Sequence, residues 1–170
     1  AFWLLSEPRS NEALGWLSLA AGVNGLLSAV LTLGCFVLLS LALGVTTRFQ
    51  LLELAQADHP LLHRLQEEAP GTFHHSMMVG SLSERAATVI GADPLLAKVG
   101  AYYHDIGKLT QPGNFIENML DGGGSPHDSL PPARSAGLIR DHVIAGIDLG
   151  RRYRLPDVVR DFIPQHHGTR

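Results

Sequence analysis

Six side chains have the types of hard or borderline metal ligands: His75, the adjacent pair His104-Asp105, His142, and the adjacent pair His166-His167. Imidazole and carboxylate without thiolate suit iron, manganese or zinc better than calcium or an iron–sulfur cluster. The one cysteine, Cys35, excludes both an internal disulfide framework and a cysteine-based zinc cluster. Neighbouring residues on a helix point about 100° apart, so His104 and Asp105 do not easily chelate one ion from the same side. A carboxylate has two oxygens, however, and can bridge two ions. That geometry favours a two-metal centre.

Ligands so far apart in sequence must be gathered by separate elements. Beyond residue 50 the apolar period is helical, with Leu51, Leu52, Leu54, Leu61, Leu62 and Leu65 forming apolar faces interrupted at Pro60 and stopped by Pro70-Gly71. A helix follows from about Thr72 to Ile90, closed by Gly91, and Asp93-Pro94 caps the next, which carries Leu95 to Ile106. A Gly/Pro/Asn-rich connection runs from Gln111 to Pro132 with its tip at Gly122-Gly123-Gly124, and helices at about Ala133–Tyr153 and Pro156–Gln165 finish the chain. No strand-like alternation of useful length and no internal repeat occurs. The expected class is all-α, and a helical bundle can build a metal site in its core from facing helices.

The N-terminal part is different. Of the 170 residues, 45% are hydrophobic and 17% charged, yet residues 13–47 carry no charged side chain at all. As a helix that run reaches ~50 Å, more than the ~30 Å of a hydrocarbon core. One span fits, roughly Trp16 to Leu43; two spans of ~20 residues with a turn do not. Asn24-Gly25 is the point where a buried hairpin of a soluble protein would bend. A signal peptide is the other alternative to a span, but its apolar run is only ~7–15 residues and no small-residue cleavage site follows this one. The flanking charges, Arg9 on one side and Arg48 and Arg64 amid acids on the other, do not orient the span. A net charge of −3 excludes a basic binder of nucleic acid polymers. The sequence has no initiating Met, and it is expected to be a piece of a longer protein, with residues 1–47 as its last transmembrane helix, 48–70 as a helical linker and 71–170 as an incomplete catalytic domain.

The strings GTFHHSMMVGSL, VGAYYHDIGKL, SPHDSLPPARSA, IRDHVIAG and FIPQHHGT, in this order, resemble the metal-dependent HD-domain phosphohydrolases. Within them, the chain is similar to the seven-transmembrane HD-domain phosphodiesterases of the PgpH type, whose linker before the HD domain matches GVTTRFQLLELA and PLLHRL. The resemblance implies metal ligands at His75, His104, Asp105, His142, His166 and His167, with Asp105 bridging two divalent ions, manganese or iron. It implies hydrolysis of cyclic di-AMP to pApA, with Lys108 beside the site to neutralise phosphate. Two cations would lower the pKa of water and draw charge from the phosphoryl oxygens during in-line attack, so no nucleophilic Ser or Cys is required. The substrate places the HD domain in the cytoplasm of a multi-pass membrane protein, with lipid and the other transmembrane helices as neighbours of the span. The family's further aspartate lies beyond the His-His pair, and the sequence ends at Arg170 before reaching it. Two alternatives stay open: a cyclic di-GMP hydrolase, which shares the HDIGK string, and a membrane receptor that binds nucleotide without turnover. His74 is expected to pack or support, His59 and His63 to lie on a solvated face, and His127-Asp128 to shape the mouth of the site. Glu84, Arg85 and Glu117 have no assigned role.

Overall fold

The computed structural model describes residues 10–119 and 124–168, and all regular elements among them are helical. The chain divides into two compact units with the boundary between Val45 and Thr46.

In the first unit, helix α1 (Asn11–Leu43) runs without interruption through Asn24-Gly25, so no hairpin forms there. Ser10 starts it by accepting the Ala13 N–H at 3.2 Å, and Gly44, at φ 62°, ends it. None of its described side chains is buried, and leucines on opposite faces, such as Leu31 and Leu33, are 70% and 66% exposed. The span Asn11–Ser40 has a mean hydropathy of 2.0, long and apolar enough to cross a membrane. A helix that is apolar all round needs a uniformly apolar surrounding, which lipid supplies and water does not.

The second unit holds α2 (Arg48–Leu54), α3 (Pro60–Glu68), α4 (Pro70–Ile90), α5 (Pro94–Tyr103), α6 (Pro132–Arg152), α7 (Asp157–Arg160) and α8 (Phe162–Gln165). Local signals set most of their starts. Thr47 accepts the Gln50 N–H, His59 accepts that of Leu61, and Asp93 accepts those of Leu95 and Leu96. Pro60, Pro70, Pro94 and Pro132 occupy first helical positions, where no amide proton is needed. Gly91 closes α4 at φ 74°, a left-handed conformation that glycine adopts without strain.

Leu51, Leu54, Leu61, Leu62 and Leu65 of α2 and α3 share one core with Val99, Tyr103, Ile106, Val159 and Ile163. The segment before Pro70 is thus packed into the same unit as the helices that follow. Tyr103 reinforces this by donating its hydroxyl to the Leu54 carbonyl at 2.8 Å.

Three features depart from the helical periods of the sequence. α5 ends at Tyr103, and a 3₁₀ turn over Ile106–Thr110 replaces its expected continuation. Gly107 explains that break: any Cβ there would fall on the His142 carbonyl and the Gly146 nitrogen, so the turn lies directly against the α6 backbone. The connection after Gln111 contains 3₁₀ turns at Pro112–Asn114 and Ile116–Asn118, while Gly122 and Gly123 of its expected tip lie outside the described residues. The last helix is divided between α7 and α8, because Pro164 has no N–H to give to the Arg160 carbonyl.

Candidate metal centre

The side chains named from the sequence converge from four elements. His75 projects from α4, His104 is the residue that ends α5, Asp105 follows it, His142 lies within α6, and His166 and His167 follow α8. They form two groups whose ligand atoms lie within 4.8 Å of one another: His75, His104 and Asp105 in one, His142, His166 and His167 in the other. Asp105 touches both. Its Oδ2 is 3.1 Å from His104 Nε2, and its Oδ1 is 3.4 Å from both His142 Nε2 and His166 Nε2.

His104 and Asp105 therefore do meet on one side, contrary to the expectation from regular helix geometry. Both follow the last residue of α5: His104 is its cap and keeps helical angles, whereas Asp105 has φ −109° and ψ 13°, and its carboxylate reaches His104 Nε2. The same turn leaves Oδ1 facing α6 and α8.

Backbone carbonyls fix the imidazoles. Nδ1 of His104 lies 2.6 Å from the Ala101 carbonyl, Nδ1 of His166 lies 2.7 Å from that of Ile163, and Nδ1 of His142 meets that of Ile139. A carbonyl only accepts, so each Nδ1 carries its proton, and in the neutral rings of His142 and His166 this leaves the lone pair at Nε2. His142 Nε2 then sits 3.4 Å from His166 Nε2 and 3.3 Å from His167 Nε2. Lone pairs that face each other repel unless a proton or a metal cation lies between them. Asp105 Oδ1, buried beside them, has no hydrogen-bond donor among the described residues. This orphaned anionic oxygen and the inward imidazoles fit divalent cations, with one group of three ligands for each.

The electrostatics are consistent with such a site. Burial holds His142 and His166 below the ordinary imidazole value, which keeps both rings neutral and able to ligate. Burial also opposes a charge on Asp105, but hydrogen bonding and attraction from His104, then Lys108, outweigh it and hold the carboxyl far below its usual range. For His104 burial likewise disfavours the charge, and the bond to Asp105 outweighs it and raises the ring. Lys108 Nζ is 2.8 Å from Asp105 Oδ2, and its ion pairs outweigh burial to keep it charged.

The other singled-out residues lie apart from the two groups. His74 is exposed and packs edge-on to Phe73. His59 caps α3 and His63 pairs with Glu67 at 3.4 Å, so they do not form a clasp. His127 bridges the Asn114 carbonyl and the Ser135 hydroxyl, each at 2.8 Å, and Asp128 accepts the Ser125 N–H within its turn. Glu84 pairs with Lys98 at 2.9 Å on the α4–α5 surface. Glu117, to which the sequence assigns no role, lies 2.7 Å from Lys108 Nζ. No sequence signal points to it, since it sits in an irregular turn with no period.

The chain has known relatives. The chain is 44% identical over 94% of its length to the cyclic-di-AMP phosphodiesterase PgpH of Bacillus subtilis, and 42% identical over 92% to that of Listeria monocytogenes. It spans about a fifth of these relatives, 22% and 21% of their lengths. The crystal structure of the L. monocytogenes PgpH HD domain in complex with cyclic-di-AMP superposes with a TM-score of 0.64 at 45% identity, over 68% of this chain and 53% of that one. The HD domain model matches residues 72–170, the part of the chain in which all six converging ligand candidates lie. By that match over more than half its length, the chain belongs to the HD domain family.

Proposed function

We propose that this chain carries the catalytic domain of a membrane-bound phosphodiesterase that hydrolyses a cyclic dinucleotide, cyclic di-AMP, to pApA. The observation that carries this reading is Asp105, which sets one carboxylate oxygen in each histidine group. His75, His104 and Asp105 would hold one divalent cation, and His142, His166 and His167 the other, with Asp105 shared; manganese and iron suit these ligands. Such ions, when bound, supply water activation at neutral pH and withdraw charge from a phosphodiester. Asp105 keeps a negative charge between the two groups and so favours holding two cations close together. The Nδ1 bonds of His104, His142 and His166 prevent ring rotation and keep each Nε2 aimed inward. Lys108 supplies a fixed ammonium with three donors for an anionic phosphoryl or leaving oxygen. The known substrate of the PgpH relatives supports the choice of dinucleotide. A cytosolic dinucleotide then requires the HD domain to face the cytoplasm, with α1 anchored in lipid beside other spans of the full-length protein.

The test uses the chain in detergent and the full translation product of its gene, each loaded with Mn²⁺ and given cyclic di-AMP or cyclic di-GMP. The expected result is cleavage of cyclic di-AMP in preference, and loss of at least one bound ion per chain together with activity in Asp105→Ala. Preference for cyclic di-GMP overturns the substrate, and unchanged metal content in the variant overturns the bridging role.

A further inference from the structure

Lys108 Nζ sits between two carboxylates, 2.8 Å from Asp105 Oδ2 and 2.7 Å from Glu117 Oε1. Asp105 belongs to the ligand groups, and Glu117 to neither. Glu117 is nevertheless held in place from several directions. Its main chain lies so close to Gly71 that any Cβ on Gly71 would strike the Glu117 carbonyl. The adjacent Asn118 accepts the Thr72 N–H at 3.0 Å and donates Nδ2 to Thr72 Oγ1 at 2.8 Å. The buried Thr72 hydroxyl in turn donates to Glu117 Oε1 at 3.2 Å. The first turn of α4 thus grips the 3₁₀ turn Ile116–Asn118, and the same helix carries His75 one turn further on.

We infer that Glu117 is a positioning residue that retains Lys108 beside the centre and thereby releases Asp105 Oδ2 to a cation; this rests on the two-cation reading above. Oδ2 is the oxygen within reach of His104, so a cation in the group of His75, His104 and Asp105 draws on the oxygen that Lys108 also bonds. With Asp105 as its only counter-charge, the ammonium would compete for that oxygen and repel the incoming ion. Glu117 offers it an equally short alternative, and the Phe115 ring, 5.0 Å from Nζ, lines the same place. When a cation takes Oδ2 from the ammonium, the bond to Glu117 keeps the lysine charged and in place.

The test is a cycle of variants in the whole chain in detergent, with Mn²⁺ affinity measured by competition against a chromophoric chelator. Glu117→Gln, which removes the charge and keeps the shape, should weaken apparent Mn²⁺ affinity by ~10–100-fold, the usual effect of losing a residue that supports a ligand. In the Lys108→Met background the same change should cost little, because the competing ammonium is gone. Should Glu117→Gln fail to fold, as judged by its helical spectrum, Glu117→Asp keeps the charge with a shorter reach and should give an intermediate loss. Parent-like affinity in the folded variant, or an equal loss with and without Lys108, overturns the inference. If the affinities behave as expected while neither the chain nor the full gene product cleaves cyclic di-AMP, the substrate assignment falls and the positioning role stands.

Discussion

At the residue scale, the site depends on one backbone contact as much as on its ligands. Gly107 lets the 3₁₀ turn after Asp105 touch the α6 backbone, and this contact brings the carboxylate within 3.4 Å of His142. An alanine at 107 would drive its methyl into the His142 carbonyl and the Gly146 nitrogen, main-chain atoms that move only if α6 moves. Overpacking of this kind costs ~1–3 kcal/mol. Gly107→Ala should lie at or above the upper end of that range in urea unfolding followed by circular dichroism, and it should also weaken Mn²⁺ binding. Gly146→Ala should be milder, since its methyl meets the Ile163 Cγ2 methyl at 2.9 Å and no main-chain atom closer than 3.3 Å. Equal stability of Gly107→Ala and the parent would show that the turn has slack. The side chains that converge were legible as ligand candidates from type and order, because the chemistry of a mixed imidazole and carboxylate site limits which side chains can serve. Their grouping was not, since it follows from the break at Asp105 that Gly107 permits.

At the element scale, helix starts were legible wherever the signal is local: Asp93-Pro94, Pro70 and Gly91 act within one turn of themselves. The division between α7 and α8 follows from Pro164, also a local cause, whereas the docking of Ile116–Asn118 on α4 comes from a contact 46 residues distant and leaves no periodic trace. His59 belongs to this scale, because it caps α3 rather than pointing to solvent. Its Nδ1 accepts the Leu61 N–H at 3.3 Å, and its ring stands edge-on to Tyr103 with centroids 5.5 Å apart. Only the unprotonated nitrogen can accept that bond. Burial, partly offset by Glu53 and Asp58, holds the ring below its ordinary value of 6.5. A group whose pKa is depressed by folding binds more protons when unfolded, so stability rises with pH across the window. The contribution of His59 is complete above about pH 6.5 and is lost as pH falls through the lower folded value. His59→Asn, which keeps a capping acceptor that does not titrate, should therefore lose less Tm than the parent between neutral and mildly acidic pH, with chelator present. A parallel fall in both would show that acid sensitivity arises elsewhere.

At the scale of the whole molecule, the two units differ in the surface they present: α1 is apolar all round, and the unit from Thr46 onward buries its apolar side chains. Composition made α1 legible at once, because a charge-free run of such length exceeds what a hydrocarbon core requires. It could not show that α2 and α3 belong with the helices after them, since a leucine period marks an apolar face and not the partner it packs on. In the structure Leu61, Leu62 and Leu65 have no exposure and share the core of α5 and α7, while α1 has no buried side chain among those described. The unit from Thr46 onward therefore contains its own core, and Thr47, which caps α2 through its hydroxyl, falls on the retained side of a cut after Val45. Removal of residues 1–45 should yield a protein that stays in the aqueous phase without detergent. It should melt cooperatively at the Tm of the corresponding transition in the whole chain and bind Mn²⁺ with the same affinity, since all six ligand candidates are present. A second cut after Pro60 tests whether α2 belongs to the core: it removes Leu51 and Leu54 and should cost about 4–10 kcal/mol, at ~2–5 for each buried leucine lost. That loss is comparable to the ~5–15 kcal/mol that stabilises a typical domain, so the shorter protein should be largely unfolded at room temperature. If the cut after Val45 gives aggregates while the whole chain is soluble without detergent, α1 belongs to the globular fold; if the cut after Pro60 leaves Tm unchanged, α2 is only a connection.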